Sequence, residues 1–455
     1  MRPAAGRRHP VLVAGRTLAV LLLLLVALPL NLALTAVALL TSLFVRTPRR
    51  STASWGADRA AGPAAEPKTI MISGGKMTKA LQLARSFHAA GHRVILVESA
   101  KYRLTGHRFS RAVDRFRTVP KPQSPDYAAA LLAIVRAEKV DVYVPVCSPV
   151  SSYYDALAKP VLAPYCEVLH EDADMVRKLD DKYEFSALAA SLGLPVPDAH
   201  RICSPRQVED FDFARAGRSY ILKSIPYDPL NRLDLTPLPR PSPRETAAFA
   251  RSKPIAADTP WIMQGLVRGR EYCTHSTVRD GQVQVYCCCE SSAFQVNYEM
   301  ADKPEIEAWV RRFVAPLKLT GQVSFDFIEA EDGGVYAIEC NPRTHSAITM
   351  FYNHPGLAHA YLDRDVPAVE PAADSRPTYW IYHEVWRLIT QPGRGARLRT
   401  IRRGKDAIFD RADPLPFLMV YHLQIPWLLL QNLMRGKDWI RIDFNIGKLV
   451  EPAGD

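Results

Sequence analysis

Asp326, Glu339, Asn341 and Arg343 are the side chains whose types and spacing best support chemistry. Val323-Ser-Phe-Asp-Phe-Ile328 alternates as a strand, Asp332-Gly-Gly334 reads as a turn, and Val335-Tyr-Ala-Ile-Glu-Cys-Asn341 reads as a second strand. Residues two apart on a strand share a face, so Glu339 and Asn341 should point together, with Ala337 and Val335 behind them. Pairing through the turn would bring Asp326 to the same side. Two carboxylates and an amide oxygen make a hard oxygen cluster, suited to Mg²⁺, with Mn²⁺ as a substitute, and to ATP phosphates. The Arg343 guanidinium can meet a phosphate or an acyl-type oxyanion. A single acid of this kind is ordinarily a surface ion pair, whereas an ordered group on a hairpin points to a site.

The elements that must position this group read as α/β. Thr69–Ile72 is a short apolar strand, Ser73-Gly74-Gly75 a turn, Ala80, Leu83, Ala84 and Phe87 follow helical spacing, and Arg93–Val97 is the next strand. This β-turn-α-β unit predicts a Rossmann-like domain over 68–165. The predicted organisation continues with a second domain over 166–362, a linker over 363–375 and a C-terminal domain over 376–455. The turn Ser73-Gly74-Gly75-Lys76 could offer backbone N–H groups and a lysine to an anion at a helix N-terminus. It lacks the full dinucleotide and phosphate-loop patterns, so a turn in a small-substrate pocket is the better expectation.

The formal charge is +11, and residues 1–50 hold seven arginines and no acid, leaving 11 − 7 = +4 for the other 405 residues. The body is close to neutral, which argues against nucleic acid as a partner and for a membrane surface near the N-terminus. Thr17 to Val45 carries no charge and would be roughly 43 Å long as a helix, against about 30 Å of hydrocarbon. It is expected to be an uncleaved anchor (residues 1–50, followed by a linker over 51–67) that tilts, kinks at Pro29, or turns back as a re-entrant hairpin; a cleaved signal peptide is the rival. Pro414 to Met434 is also apolar and is either an interfacial membrane segment or a core helix. Catalytic domains on the cytoplasmic side are expected. The cysteines, including the run Cys287-Cys288-Cys289, show no metal-ligand spacing. Adjacent strand residues point to opposite faces, so the run is read as small residues of a buried strand, and thiols at this density fit a reducing compartment.

Asp326 followed by Glu339-Cys-Asn-Pro-Arg343 resembles the metal-binding signature of the ATP-grasp superfamily. Further pieces fall in the expected order. Lys182 in Leu179-Asp-Asp-Lys-Tyr-Glu-Phe185 and Lys223 in Tyr220-Ile-Leu-Lys-Ser224 resemble the two lysines on ATP phosphates. Trp261-Ile-Met-Gln-Gly-Leu-Val267 resembles the hinge strand against adenine, with Gln264 where an acid is usual and Leu266 beyond it; Glu271 resembles the ribose ligand. The resemblance implies a Rossmann-like pre-ATP-grasp domain followed by a two-lobed ATP-grasp domain. The loop after Lys223 departs from the family in having no glycine; Ser224, Asn231 and Arg232 would have to replace its backbone donors.

Longer stretches resemble the mycosporine-glycine synthases: Ile72-Ser-Gly-Gly-Lys-Met-Thr-Lys79, Cys287-Cys-Cys-Glu-Ser-Ser-Ala-Phe-Gln-Val-Asn297, Asn341–His354 and Ile442-Asp-Phe-Asn-Ile-Gly447. This resemblance implies condensation of 4-deoxygadusol with glycine at the expense of ATP, with Lys223 and Arg343 at the transferring phosphoryl group, and suggests other enzymes of the same pathway as partners. Ser73, Gly74, Gly75 and Lys76, with Glu290, Ser291, Ser292, Gln295 and Asn297, are the candidate substrate contacts, and His275 and His345 the candidate bases for glycine. Competing expectations are another ATP-grasp ligase working through an acyl phosphate, and a non-catalytic membrane-bound nucleotide sensor.

Overall fold

The computed structural model describes residues 10–44, 66–146, 148–225, 231, 234–291 and 297–451. Cys147, Arg232, Ser292 and Gln295, most of the linker over 51–67 and the charged flanks of the N-terminal segment lie outside the described residues. The chain divides into two compact units: residues 1–170, 296–300 and 344–455 form the first, and residues 171–295 and 301–343 the second.

Unit one opens with helix α1 (Pro10–Phe44). It is continuous through Pro29, so the chain does not reverse there and the hairpin form of the anchor is not adopted. A parallel five-stranded sheet follows, in the order β3-β2-β1-β4-β5: β1 (Thr69–Ile72), β2 (Arg93–Ser99), β3 (Arg115–Val119), β4 (Val142–Val144) and β5 (Glu167–Val168). The crossovers are α2 (Thr78–Ala89), α3 (Tyr127–Glu138) and α4 (Ser151–Leu162). Strands covered on both faces read as continuous apolar runs, as Val94–Val97 does, and Met71, Ile95, Leu131, Tyr143 and Leu162 form one buried core.

Unit two begins with α5 (Ala173–Asp180) and α6 (Lys182–Ser191). Strands β6 (Ala199–Ile202), β7 (Tyr220–Ser224) and β8 (Trp261–Gly265) form an antiparallel sheet in the order β6-β8-β7. Its Tyr220, Leu222, Trp261 and Met263 pack beneath α7 (Pro205–Glu209), α8 (Phe213–Ala216) and α9 (Pro243–Arg251). Strand alternation turns Ile221, Lys223, Ile262 and Gln264 to the other face. Next come β9 (Gly269–Arg279) and β10 (Gln282–Glu290); β11 (Asn297–Tyr298) visits unit one, and α10 (Pro304–Leu317), β12 (Gly321–Ala330) and β13 (Val335–Asn341) return to unit two. The second sheet has the order β10-β9-β12-β13 and is antiparallel throughout. Trp309 and Phe313 of α10 stack at 5.2 Å and pack on Phe325 and Phe327 of β12 and on Phe185 of α6. Large aromatic surfaces removed from water fix α6 against the sheet.

The chain then re-enters unit one, where residues 344–362, grouped by the sequence reading with 166–343, cluster instead with the Rossmann-like sheet. Helix α11 (Leu357–Leu362) packs on α2. Strand β14 (Thr378–Tyr379) lies between β11 and β15 (Lys405–Asp406) and is linked to the latter by α12 (Ile381–Thr390) and α13 (Arg394–Arg403). Residues 414–434 form α14 (Leu415–Met419), a π-helical turn and α15 (Ile425–Met434), with Phe417, Val420, Tyr421, Ile425, Leu428 and Leu429 buried. This segment is a core element of unit one, with α1 packed along it. The hairpin β16 (Arg441–Asp443) and β17 (Lys448–Val450) closes the fold.

Candidate active site

Asp326 lies opposite Glu339 on β13 and opposite Cys273 on β9, with Asn341 opposite Ser324. Phe325 and Phe327, its neighbours along β12, point into the aromatic cluster, so Asp326 faces the other way. One detail differs from simple alternation. Asp326 pairs with Glu339 but Phe327 pairs with Ala337, leaving Ile338 as a β-bulge. Without the bulge Glu339 would share the face of Ala337 and Phe327. The extra residue re-aims Glu339 and Asn341 to the face of Asp326, so Ala337 is not behind them. The Asn341 amide reaches Asp326 Oδ2 at 3.4 Å.

Cations surround these oxygens. Lys182 is the first residue of α6, capped by Asp181, whose carboxylate accepts from the Tyr183 and Glu184 amides at 2.8 and 3.1 Å. With Phe185 anchored in the aromatic cluster, Lys182 Nζ comes within 3.5 Å of Glu339 Oε1. Lys223 Nζ donates to Gln264 Oε1 at 3.1 Å, and Gln264 Nε2 donates to the carbonyl of Ile338, the bulge residue, at 3.2 Å. Gln264 is fully buried and so ties the β7–β8 edge to the hairpin. Arg343 donates to Asn341 Oδ1 and to Asp180 Oδ1, the latter at 3.1 Å.

The electrostatics follow from two half-buried carboxyls on one face. Burial and the nearby Glu339 charge push Asp326 up to about 7, against the pull of Arg343 and Lys223. Burial also opposes ionisation of Glu339, but Lys182, Lys223 and Arg343 outweigh it and hold that carboxyl below the usual range. Burial lowers the Lys223 ammonium, with Glu339 opposing and Lys182 reinforcing that shift. Glu339 is thus the standing anion and Asp326 the carboxyl held near neutrality, the condition a divalent cation relieves. The oxygen donors fit Mg²⁺.

Other expected residues separate into groups. Leu266 follows β8 and is bonded through its amide to Ser219, while Glu271 is exposed on β9, opposite Ile328 and within electrostatic reach of Asp326 and Lys223. His275 is fully buried opposite Cys287, on the face that carries Cys273 and Asp326. Glu290 ends β10, and the Ser291 amide donates to the Glu271 carbonyl at 2.8 Å. Cys287 and Cys289 share the His275 face and Cys288 the opposite one; no described cysteine is in a disulfide. In unit one, Asn297 pairs with Tyr379, and the His345 ring meets Tyr298 edge-on at 5.4 Å. The turn Ser73–Lys76 is engaged internally. Ser73 Oγ accepts from the Val146 amide, Gly75 N–H donates to Val97 O, and Lys76 places both its amide and its ammonium on Glu98, at 3.0 and 3.4 Å. Sequence reasoning passed over Asp180, Asp181 and Ile338. Asp181-Lys-Tyr-Glu184 carries a helix-start signature that could have found the cap; the bulge left no signal.

No family model matches this sequence, and no curated protein matches it either. Solved structures do. The chain is similar to N5-carboxyaminoimidazole ribonucleotide synthetase in its ADP complex, with 15% identity, coverage of 68% of this chain and 80% of that chain, and a TM-score of 0.52. It is similar to the synthase from Aspergillus clavatus in complex with ADP and 5-aminoimidazole ribonucleotide, with 14% identity, coverage of 68% and 80%, and a TM-score of 0.51. It is similar to biotin carboxylase from Campylobacter jejuni, with 16% identity, coverage of 68% and 73%, and a TM-score of 0.50. The chain has the ATP-grasp fold, a mixed α/β architecture with a parallel-sheet unit ahead of the hairpin that carries Asp326 and Glu339.

Proposed function

We propose that this chain is an ATP-dependent ligase forming a carbon–nitrogen bond, with the β12–β13 hairpin as its phosphoryl-transfer site. The carrying observation is the convergence of Asp326, Glu339 and Asn341 on one face with Lys182, Lys223 and Arg343 around them. Mg²⁺, held by Asp326, Glu339 and Asn341, would neutralise charge on the polyphosphate. Lys182 and Lys223 would bind its non-bridging oxygens, and Arg343 would steady the phosphoryl group in transfer. Each of these residues now has an internal partner of opposite charge or polarity. Mg-ATP would exchange those pairs for charge-assisted bonds of its own. Gln264 and Leu266 would border the adenine and Glu271 the ribose.

The finer reading is condensation of glycine with 4-deoxygadusol, and the long family-like stretches around Lys76, Cys288, His345 and Asn445 support it. In such a cyclohexenone the oxygen to be replaced belongs to a vinylogous acid, and hydroxide leaves poorly. Transfer of the γ-phosphoryl to that oxygen makes phosphate the leaving group. The glycine amine then adds, phosphate departs and an enaminone remains. The reading also includes membrane association through α1, the body on the cytoplasmic side, and contact there with enzymes of the same pathway. Among the described residues one helix, Pro10–Ser42, is long and apolar enough to cross a membrane.

The test is ADP release by the full chain with Mg-ATP, 4-deoxygadusol and glycine, with near-ultraviolet absorbance followed in parallel. Release that needs both substrates and yields a new chromophore is expected. Release with a different acid and amine would overturn the substrate assignment and keep the ligase. ATP binding without turnover on any pair would leave a nucleotide sensor.

A further inference from the structure

Helix α1 is docked along its length. Val13, Thr17, Leu24, Asn31, Thr35 and Ala38 form a buried stripe at spacings of three, four and seven, and α1 packs on α14, the π-helical turn and α15. Polar contacts pin both halves. Arg16 donates to the carbonyls of Trp439 and Ile440 at 3.0 and 2.7 Å and stands 3.6 Å from the Trp439 ring centre, while Trp439 Nε1 donates to Thr17 Oγ1 at 3.0 Å. Farther along, Asn31 donates to the Tyr382 hydroxyl at 2.7 Å and meets His422 Nε2 at 2.8 Å. From Val13 to Ala38 the stripe is about 37 Å long, more than the roughly 30 Å of a hydrocarbon core. A helix crossing the bilayer while so docked would carry its partner layer with it. That layer brings Arg103 against Trp427, and Lys437 and Glu451 beside Asn432, charges that hydrocarbon rejects.

The opposite side of α1 is a continuous apolar surface, with Leu18, Leu22, Leu25, Val26, Leu30 and Val37 all more than half exposed. A second exposed apolar patch lies on α12. Tyr382, the partner of Asn31, shares one face of α12 with Val385, Trp386 and Ile389, at the i, i+3, i+4 and i+7 positions. Trp386 and Ile389 are 60% and 65% exposed. On α13, Arg394, Leu398 and Arg402 lie in one line, with Arg399 beside them, all exposed. Residues 385–404 contain no acid. Arg387 and Arg397 are turned inward on buried Glu384, and Arg403 lies 3.8 Å from Glu299. Exposed arginines on α13, packed against the helix that carries an exposed tryptophan and isoleucine, match an anionic bilayer surface, where aromatic rings sit at headgroup depth and guanidinium groups reach lipid phosphates.

We infer that the protein lies on one leaflet, with α1 in the membrane plane and the α12–α13 hairpin as a second contact that selects anionic lipid. The inference rests on the membrane association proposed above. The test uses the full chain on sealed vesicles of phosphatidylcholine alone and of phosphatidylcholine with phosphatidylserine, with an epitope fused ahead of Met1 and ADP release as the folding control. Flotation with both lipids, tighter on the anionic one, is expected, and external protease should remove the epitope. Each outward arginine is worth roughly fivefold in partitioning, so R394Q/R399Q/R402Q should lose on the order of a hundredfold on anionic vesicles and little on neutral ones. W386S/I389S should weaken binding to both. An epitope protected from protease would show that α1 crosses, refuting the in-plane placement while keeping membrane association. An unchanged anionic preference in the arginine variant would remove the second contact. No flotation of the parent chain would overturn the membrane reading itself.

Discussion

The hairpin of unit two and the glycine turn of unit one both present a polar cluster at a strand end, yet their electrostatics run in opposite directions. On the hairpin, two half-buried carboxyls face each other and cannot both ionise comfortably, so desolvation and mutual repulsion push Asp326 up to about 7. In the turn, a single carboxylate, Glu98, accepts from the Lys76 amide, the Ser99 amide and the Ser99 hydroxyl, and pairs with the Lys76 ammonium. One cluster holds a carboxyl whose ionisation is opposed despite three nearby cations; in the other the carboxylate is fully matched. An unbalanced site can take a charged ligand at little cost, whereas a balanced one must first be broken. On the proposed reading, this difference is the one expected between a site for chemistry and a structural joint.

The largest effect should come from the unbalanced cluster. Glu339→Gln removes the standing anion and should lower ADP release on the order of a thousandfold, with the thermal midpoint little changed. Near-normal turnover in that variant would refute the phosphoryl-transfer assignment. The balanced cluster should respond in the reverse way. Lys76→Ala strands Glu98 in a site where its side chain is 5% exposed, and should cost about 3 kcal/mol of stability by urea unfolding. Turnover per folded molecule should stay near the parent value. A large fall in turnover with unchanged stability would make Lys76 a ligand-binding residue and erase the contrast.

How far each region was legible follows from where its neighbours lie in the chain. Asp326, Glu339, Asn341 and Arg343 lie on or just after one hairpin, and local alternation put Glu339 and Asn341 on one face. Even there the grouping rested on a residue that pattern could not reveal. Ile338 is an ordinary strand residue by type, and its bulge puts Glu339 on the Asp326 face. Lys182 and Lys223 were singled out through motif order alone; what brings Lys182 to Glu339 is the Asp181 cap and the packing of Phe185. The turn at 73–76 was visible as a turn, but its cover was not. The Thr78 amide donates to Asn445 O, Thr78 Oγ1 donates to Phe444 O, and Trp380 Nε1 donates to Thr78 Oγ1 at 3.0 Å. These partners lie hundreds of residues away, beyond any periodicity argument. The same holds for residues 414–434, where apolar composition fitted a membrane surface and a core helix equally, and tertiary packing decided for the core.

That distant cover gives a finer probe. Gly447 has φ of +68°, and a Cβ there would come within 2.1 Å of the Lys76 carbonyl oxygen. Gly447→Ala should therefore cost about 2 kcal/mol, through backbone strain and displacement of the β16–β17 loop from the turn. An Ala variant as stable as the parent would show that the loop does not hold the turn.

An effect that is absent at neutral pH and appears only on acidification concerns the underside of the same turn. His107 is fully buried, its Nδ1 lies 2.9 Å from the Gly75 carbonyl, and its Nε2 has no hydrogen-bond partner among the described residues. Burial lowers its pKa to about 4 from the ordinary 6.5, with the Gly75 bond opposing the shift and Arg85 adding to it. The folded protein holds this ring neutral, while the unfolded chain takes up a proton once the pH drops below 6.5. Above 6.5 the stabilisation is fully present, and it declines as the pH falls from there towards 4, by about 1.4 kcal/mol per unit. Urea midpoints should therefore fall on acidification across that window, and His107→Asn should flatten the fall. An equal slope in the variant would place the acid sensitivity in other groups and leave the turn's underside electrostatically silent.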